Sequence, residues 1–120
     1  MTFAPLRGIR VVDVTTSLAG PYCTEVLAAL GADVVKIEPP GVGDEARTWG
    51  PPWWESESTL FLTVNAGKRS VCVDLRRGRD VMLRLVDGAD VLVQSLRPGL
   101  ADERGLGAEA LRARNPRIEQ

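Results

Sequence analysis

The chain has 120 residues, 44% of them hydrophobic and 26% charged, and its net charge at neutral pH is −1. This balance is typical of one soluble globular domain that is large enough for a real core. The two signs of charge are interspersed, which argues against a nucleic-acid partner, and the apolar runs are shorter than the roughly 18 residues of a membrane span. The N-terminal segment lacks the pattern of a signal peptide, so we expect a cytoplasmic protein.

Histidine is absent, and there are only two cysteines, Cys23 and Cys72. Without histidine this chain has no Ser-His or Cys-His nucleophilic pair of its own. Two distant cysteines do not make a structural zinc site, so we predict no bound metal. We expect both cysteines to be separate buried thiols.

The first third of the chain predicts a strand, a loop and a helix. Residues 9–14 are β-branched and almost wholly apolar, as in a central parallel strand. Pro21 fits the first turn of a helix that Gly31 closes. Helical spacing predicts an inner face of three residues: Val26, Leu27 and Leu30.

Three further strands are predicted at residues 33–38, 70–75 and 91–96. A loop rich in proline, glycine and tryptophan, residues 39–56, follows the first of these and is long enough to favour a functional role. A helix is predicted over residues 78–90, with an inner face of Val81, Met82, Leu85 and Val86.

The end of the chain predicts a short helical turn and a second short helix that stops before Pro116. Strands that alternate with helices imply right-handed crossovers and a mostly parallel sheet. The predicted fold class is therefore α/β, a Rossmann-like sheet with flanking helices.

The loop after the first strand lies where open α/β sheets bind ligands. Its free N–H groups favour an anion, although Thr15, Thr16 and Ser17 more simply cap the helix. Glu38 is placed to bind a ribose, but the loop lacks the GxGxxG pattern of a dinucleotide site. A dinucleotide-binding domain is therefore a minor alternative.

Other polar and aromatic groups leave two interpretations open. Lys68 and Arg69, with Asn65 before them, form either a phosphate clamp or a solvated turn that pairs with carboxylates. Asp44 and Arg47 have the spacing of a local ion pair in the long loop. The three tryptophans of that loop favour packing or a subunit interface over stacking on a base: Trp49, Trp53 and Trp54.

Four motifs together carry a family resemblance that covers essentially all 120 residues. They are "AGP" at 19–21, "GADVVKIE" at 31–38, "NAGKRS" at 65–70 and "NPRI" at 115–118. In this order the chain resembles the N-terminal part of the family III CoA-transferases, a group that also contains acyl-CoA racemases. The resemblance implies that residues 1–120 form the N-terminal, Rossmann-like, CoA-binding portion of a larger fold. It also implies a homodimer in which two subunits interlock.

The resemblance also implies coenzyme A as the ligand and ten binding residues. Those in the first loop and after the third strand are Leu18, Ala19, Val73, Asp74, Leu75 and Arg76. Those after the fourth strand are Ser95, Leu96, Arg97 and Arg104. Many members have Glu-Asn-Phe where this chain has Gln94, Ser95 and Leu96.

The implied reaction moves CoA from an acyl-CoA to a carboxylic acid through a covalent aspartyl-CoA thioester. The catalytic aspartate of the family follows the NPR segment, so we predict no catalytic residue in these 120 residues and no activity of this chain alone. Two alternatives stay open: an acyl-CoA racemase of the same family, and a short non-catalytic homologue that binds CoA or a larger partner.

Overall fold

A computed structural model describes residues 2–120 as a parallel four-stranded sheet with helices on both faces. The strands are β1 (Arg10–Val14), β2 (Asp33–Glu38), β5 (Arg69–Cys72) and β6 (Val91–Gln94), with the order β5-β2-β1-β6. Each neighbouring pair is parallel. The predicted Rossmann-like α/β class is confirmed.

The helices connect these strands and close the domain. They are α1 (Ala19–Ala29), α2 (Thr59–Val64), α3 (Arg79–Asp87), α4 (Leu100–Glu103) and α5 (Ala108–Arg114). The long loop after β2 contains a 3-10 helix, Glu45–Thr48, and a small antiparallel hairpin of β3 (Trp53–Trp54) and β4 (Glu57–Ser58). The hairpin and α2 are absent from the sequence-based prediction.

Apolar residues on the two faces of the sheet form two separate clusters. On one face, Val12 and Val14 of β1 pack with α3 and with three buried residues from the end of the chain: Leu106, Leu111 and Ile118. On the opposite face, Val11 and Val34 pack against α1. Both faces of β1 are covered in this way, which fits its largely apolar sequence.

Helix α1 buries a different line of residues from the predicted one. Pro21 and Thr24 are its buried residues, and Val26 is 38% exposed. The Thr24 hydroxyl donates to the buried carboxylate of Asp13, at 2.6 Å, which turns this line toward β1. The prediction of Val26 as an inner residue was therefore wrong, whereas Leu27 does pack against the sheet.

Three further burial predictions also fail. Val81 is 47% exposed, because α3 presents Met82 and Val86 to the sheet and Val81 lies one position off that line. Cys23 and Cys72 are both exposed thiols. Cys72 lies on β5, which is one of the two edge strands of the sheet and has no residue in the core.

Between residues 2 and 120, no helix combines the length and the apolar character that a membrane crossing requires.

Candidate functional site

The carboxyl ends of all four parallel strands meet at one cleft of about 310 Å³, which we call the carboxyl-edge cleft. Each strand, or the loop that follows it, contributes a wall residue: Val14, Ile37, Val73 and Leu96. The chain builds β1, β2 and β5 in one direction and then returns to place β6 on the other side of β1. Ligands of open α/β sheets bind at this topological switch point.

The lining of the carboxyl-edge cleft is mostly apolar, with charged groups among it. Twelve residues form it: Val14, Thr16, Ile37, Pro39, Pro40, Val73, Asp74, Leu75, Arg76, Leu96, Leu100 and Arg104. One oxygen of Asp74 accepts a hydrogen bond from the backbone N–H of Arg76 at 2.9 Å. The guanidinium groups of Arg76 and Arg104 give the cleft two positive charges against one negative charge. An apolar hollow with few polar groups is the usual form of a small-molecule site.

Six of the ten residues predicted to bind CoA line this cleft: Val73, Asp74, Leu75, Arg76, Leu96 and Arg104. Ser95 lies beside it, where its hydroxyl accepts a hydrogen bond from the Thr16 N–H at 3.1 Å. The other three predicted residues lie outside the lining. Leu18 and Ala19 are exposed at the start of α1, and Arg97 pairs with Glu103 at 3.7 Å beside a neighbouring hollow.

The turn between β1 and α1 does not cap the helix through its side chains. Leu18 is the N-cap residue and makes no side-chain capping bond. The hydroxyl of Thr15 instead donates to Asp13, and that of Ser17 to Glu45. Gly20 lies so close to Thr15 that a Cβ there would collide with the threonine side chain. The capping prediction for residues 15–17 was therefore wrong.

A network of buried charges lies behind this turn, on the α1 face of the sheet. Asp13 and Lys36, from neighbouring strands, are 0% and 1% exposed. Asp13 pairs with Lys68 at 3.0 Å, and Lys36 pairs with Asp44 at 2.8 Å. Buried charges are costly unless they are paired in this way. The signal in the sequence is a carboxylate and an ammonium inside otherwise apolar strands.

Lys68 has no hydrogen-bonding capacity left for a phosphate. Its Nζ donates to Asp13, to the Pro21 carbonyl and to the side chain of Asn65, at 3.0, 2.9 and 2.8 Å, and an ammonium has three donors. Arg69 forms an exposed pair with Asp33 at 2.7 Å. Of the two interpretations of this turn, pairing with carboxylates is therefore the one that the structure shows.

The spacing of Asp44 and Arg47 predicts an ion pair between them, but Arg47 pairs with Glu38 instead. Its guanidinium donates two hydrogen bonds of 2.8 Å to the Glu38 carboxylate and lies 3.9 Å from the centre of the Phe61 ring. Asp44 turns away to meet Lys36. Glu38 is thus a buried anchor of the long loop, which removes it as a candidate ribose ligand.

The tryptophans of the long loop lie at the surface. Trp49, Trp53 and Trp54 are 40%, 48% and 66% exposed. The ring of Trp53 covers Gly50 so closely that a Cβ at that glycine would overlap it. Packing on Gly50 therefore accounts for the buried part of the Trp53 side chain. The subunit interface stays a prediction.

Hydrogen bonds, above all those from Arg47, lower the pKa of Glu38 to about 2, although burial acts to raise it. The Asp44 N–H and the Ser70 hydroxyl also contribute to lowering this pKa. A carboxylate with a depressed pKa stabilises the fold at neutral pH, and this contribution is lost as the pH falls from about 4.5 towards 2. Between about pH 5 and about pH 3 we expect it to decrease by about 2 kcal/mol. The Glu38→Gln variant lacks this contribution, so its free energy of unfolding should approach that of the wild type as the pH falls across this range. Denaturant unfolding of both proteins at each pH measures this difference. Parallel losses of stability would contradict this assignment.

Comparison with known proteins gives the family. The profile of CoA-transferase family III matches residues 6–118. Mouse succinyl-CoA:glutarate CoA-transferase is 45% identical over 116 residues, which are 95% of this chain and 27% of that protein. The probable fatty acyl-CoA transferase Rv3272 of Mycobacterium tuberculosis is 47% identical over 118 residues, or 95% of this chain and 30% of that one.

Solved structures agree with this match. The orthorhombic crystal structure of Rv3272 superposes with a TM-score of 0.86 and 46% identity, and covers 95% of this chain and 32% of its own. A CAIB/BAIF family protein from Brucella suis gives a TM-score of 0.90 and 42% identity, over 98% of this chain and 32% of its own. This chain spans about a third or less of the length of these relatives. It belongs to CoA-transferase family III.

Proposed function

We propose that the carboxyl-edge cleft binds coenzyme A and that the whole protein transfers CoA between carboxylic acids. The observation that carries the binding proposal is the position of the cleft: it lies at the switch point of the sheet and takes its lining from six of the residues that the family resemblance singles out. The homologues supply the reaction class, because they are described as CoA-transferases for succinyl-CoA, glutarate and citramalate.

The chemistry of the cleft fits the parts of CoA. Apolar side chains such as Ile37, Leu75 and Leu96 offer contact to the long pantetheine arm. Arg76 and Arg104 offer fork-shaped donors to phosphate groups. The Asp74 oxygen that does not bind the Arg76 N–H can accept a hydrogen bond from a hydroxyl or amino group of the nucleoside.

For the whole protein we propose covalent transfer of CoA through an aspartyl-CoA thioester. An aspartate carboxylate attacks the thioester of the donor acyl-CoA, which gives a mixed anhydride and a CoA thiolate. The thiolate attacks the aspartyl carbonyl, releases the first acid and leaves an aspartyl-CoA thioester. The acceptor carboxylate attacks that thioester, which expels the CoA thiolate and gives a second mixed anhydride. The thiolate then attacks the acceptor's carbonyl in this anhydride, which forms the new acyl-CoA and frees the aspartate carboxylate. We assign the nucleophile to none of the aspartates in these 120 residues.

Calorimetric titration of this chain with CoA tests the binding proposal, with NAD as the matched dinucleotide. We expect CoA to bind and an acyl-CoA to compete with it, while NAD does not bind. Binding of NAD without CoA would overturn the proposal in favour of a dinucleotide domain. No binding of either ligand, together with a stable complex between this chain and a full-length family member, would favour the role of a non-catalytic partner.

Arg104, one of the two arginines that line the cleft, gives a sharper test of where CoA binds. Replacing Arg104 with alanine removes a charge-assisted hydrogen bond to phosphate, worth about 1.5–3 kcal/mol, so we expect CoA to bind roughly tenfold to a hundredfold more weakly. Arg112 is the matched control, because it is exposed on α5 and lies outside the cleft lining. Equal CoA affinities for Arg104→Ala, Arg112→Ala and the wild type would place the phosphates elsewhere.

A further inference from the structure

The turn that forms one wall of the carboxyl-edge cleft is held at each of its three residues by a side chain from another element. The Thr15 carbonyl accepts from Lys36 Nζ at 2.9 Å. The Thr16 N–H donates to Ser95 Oγ, and the Ser17 N–H donates to Asp44 Oδ1 at 3.2 Å. Two of these three contacts come from the buried Lys36–Asp44 pair.

The conformation of this turn is one that the backbone does not adopt readily. Ser17 has a φ of 72°, in the left-handed region. For a residue other than glycine that region costs about 1–2 kcal/mol, so the surrounding contacts must hold it there. Asp44 accepts a hydrogen bond from the N–H of this strained residue.

The same pair also fixes the loop that forms a second wall. Asp44 Oδ1 accepts from the Ala46 N–H at 2.9 Å and so begins the 3-10 helix of the long loop. The Asp44 N–H in turn donates to Glu38 at 2.8 Å. Pro39 and Pro40, which line the cleft, lie in the short segment between these two anchors. Lys36 and Asp44 are each 1% exposed and are not among the lining residues.

We propose that Lys36 and Asp44 are positioning residues for the ligand of the carboxyl-edge cleft. They do not touch the ligand. They hold Thr16 on one wall and the Pro39–Pro40 segment on the other at the separation that binding requires. This inference rests on the proposed binding of CoA and adds to it the residues that shape the site.

The experiment compares three variants of the full 120-residue chain. Asp44→Ala removes both the charge and the acceptor oxygen, whereas Asp44→Asn removes the charge and keeps an oxygen for the Ser17 and Ala46 N–H groups. Asn115→Ala is the stability control, because Asn115 is buried and donates to the Val86 and Ala89 carbonyls at 2.9 and 2.8 Å, outside the cleft. Three quantities are measured for each variant and for the wild type. They are the stability from denaturant unfolding, the CoA affinity from titration well below the melting temperature, and the amide exchange rates of Thr16 and Ser17.

We expect Asp44→Ala to bind CoA about tenfold more weakly, as the loss of about 1.4 kcal/mol would do, and to exchange the Ser17 amide faster. Asp44→Asn should lose comparable stability, because Lys36 is left without its partner charge, yet bind CoA within about threefold of the wild type. Asn115→Ala should lose stability and keep both CoA affinity and slow exchange. CoA affinity that follows stability across all three variants would overturn the positioning role.

The exchange measurement separates the two proposals. If the wild type does not bind CoA, the proposed function fails, whatever the exchange data show. If CoA binds but exchange at Ser17 is the same in Asp44→Ala and the wild type, the positioning inference alone fails.

Discussion

Replacing Asp13 with alanine is expected to lower the free energy of unfolding by about 3–5 kcal/mol, because it removes one partner of a buried ion pair. The Asp13 carboxylate is fully buried and accepts from the Lys68 ammonium and the Thr24 hydroxyl. Without it, Lys68 keeps only the Pro21 carbonyl and Asn65 as acceptors, in a site where its side chain is 2% exposed. Urea unfolding at neutral pH, followed by circular dichroism, measures the loss.

The pH dependence of this loss identifies its cause. Burial lowers the pKa of Lys68, and Asp13 opposes that effect, so the pKa should fall further in Asp13→Ala. The folded variant then binds fewer protons than the unfolded chain, and its stability rises as the pH increases towards the ordinary lysine pKa. The deficit should therefore be smaller at about pH 9.5 than at about pH 7. The double variant Asp13→Ala/Lys68→Met should recover part of the loss, and a deficit that neither change relieves would contradict the ion-pair explanation.

Replacing Leu111 with alanine is expected to cost about 2–5 kcal/mol, through lost burial and the cavity that remains. Leu111 is 0% exposed on α5 and packs in the core cluster with Leu106 and Ile118, which also come from the last part of the chain. Val81→Ala is the control, because Val81 is 47% exposed on α3 and should change stability by less than about 0.5 kcal/mol. Denaturant unfolding measures both. A small effect at Leu111 would mean that α5 docks only weakly on the sheet.

The parts of the fold that follow from local pattern were predictable from sequence. Apolar β-branched runs placed the four parallel strands, with ends displaced by a few residues, and Gly31, with a φ of 101°, ends α1 as predicted. Helix α2 escaped prediction although its signals were present: Ser58 caps it by accepting from the Phe61 N–H, and Phe61 and Val64 are its buried residues. Six residues make fewer than two helical turns, which is too short a periodicity to distinguish from a loop.

The buried charges mark the limit of what the sequence could show. Asp13 and Lys68 are 55 positions apart, so no local spacing connects them. Asp44 and Arg47 did have the spacing of a pair, but Asp44 reaches Lys36 and Arg47 reaches Glu38, because the fold places two strand residues beneath the loop. A charge inside an apolar strand requires a partner. The pattern shows that need, and only the topology identifies the partner.

The cleft takes a wall from each of four strands that are distant in sequence, so it exists only when the sheet is complete. Partial opening at either edge of the sheet removes a wall and, with it, the affinity. A ligand that binds there therefore stabilises the domain against global unfolding and not only locally, by RT ln(1 + [L]/Kd), which is about 2.7 kcal/mol at a ligand concentration about a hundred times Kd. Protection from proteolysis should consequently extend to segments far from the cleft, such as α5. It should increase with ligand concentration by the same factor in every segment that is cleaved only after global unfolding.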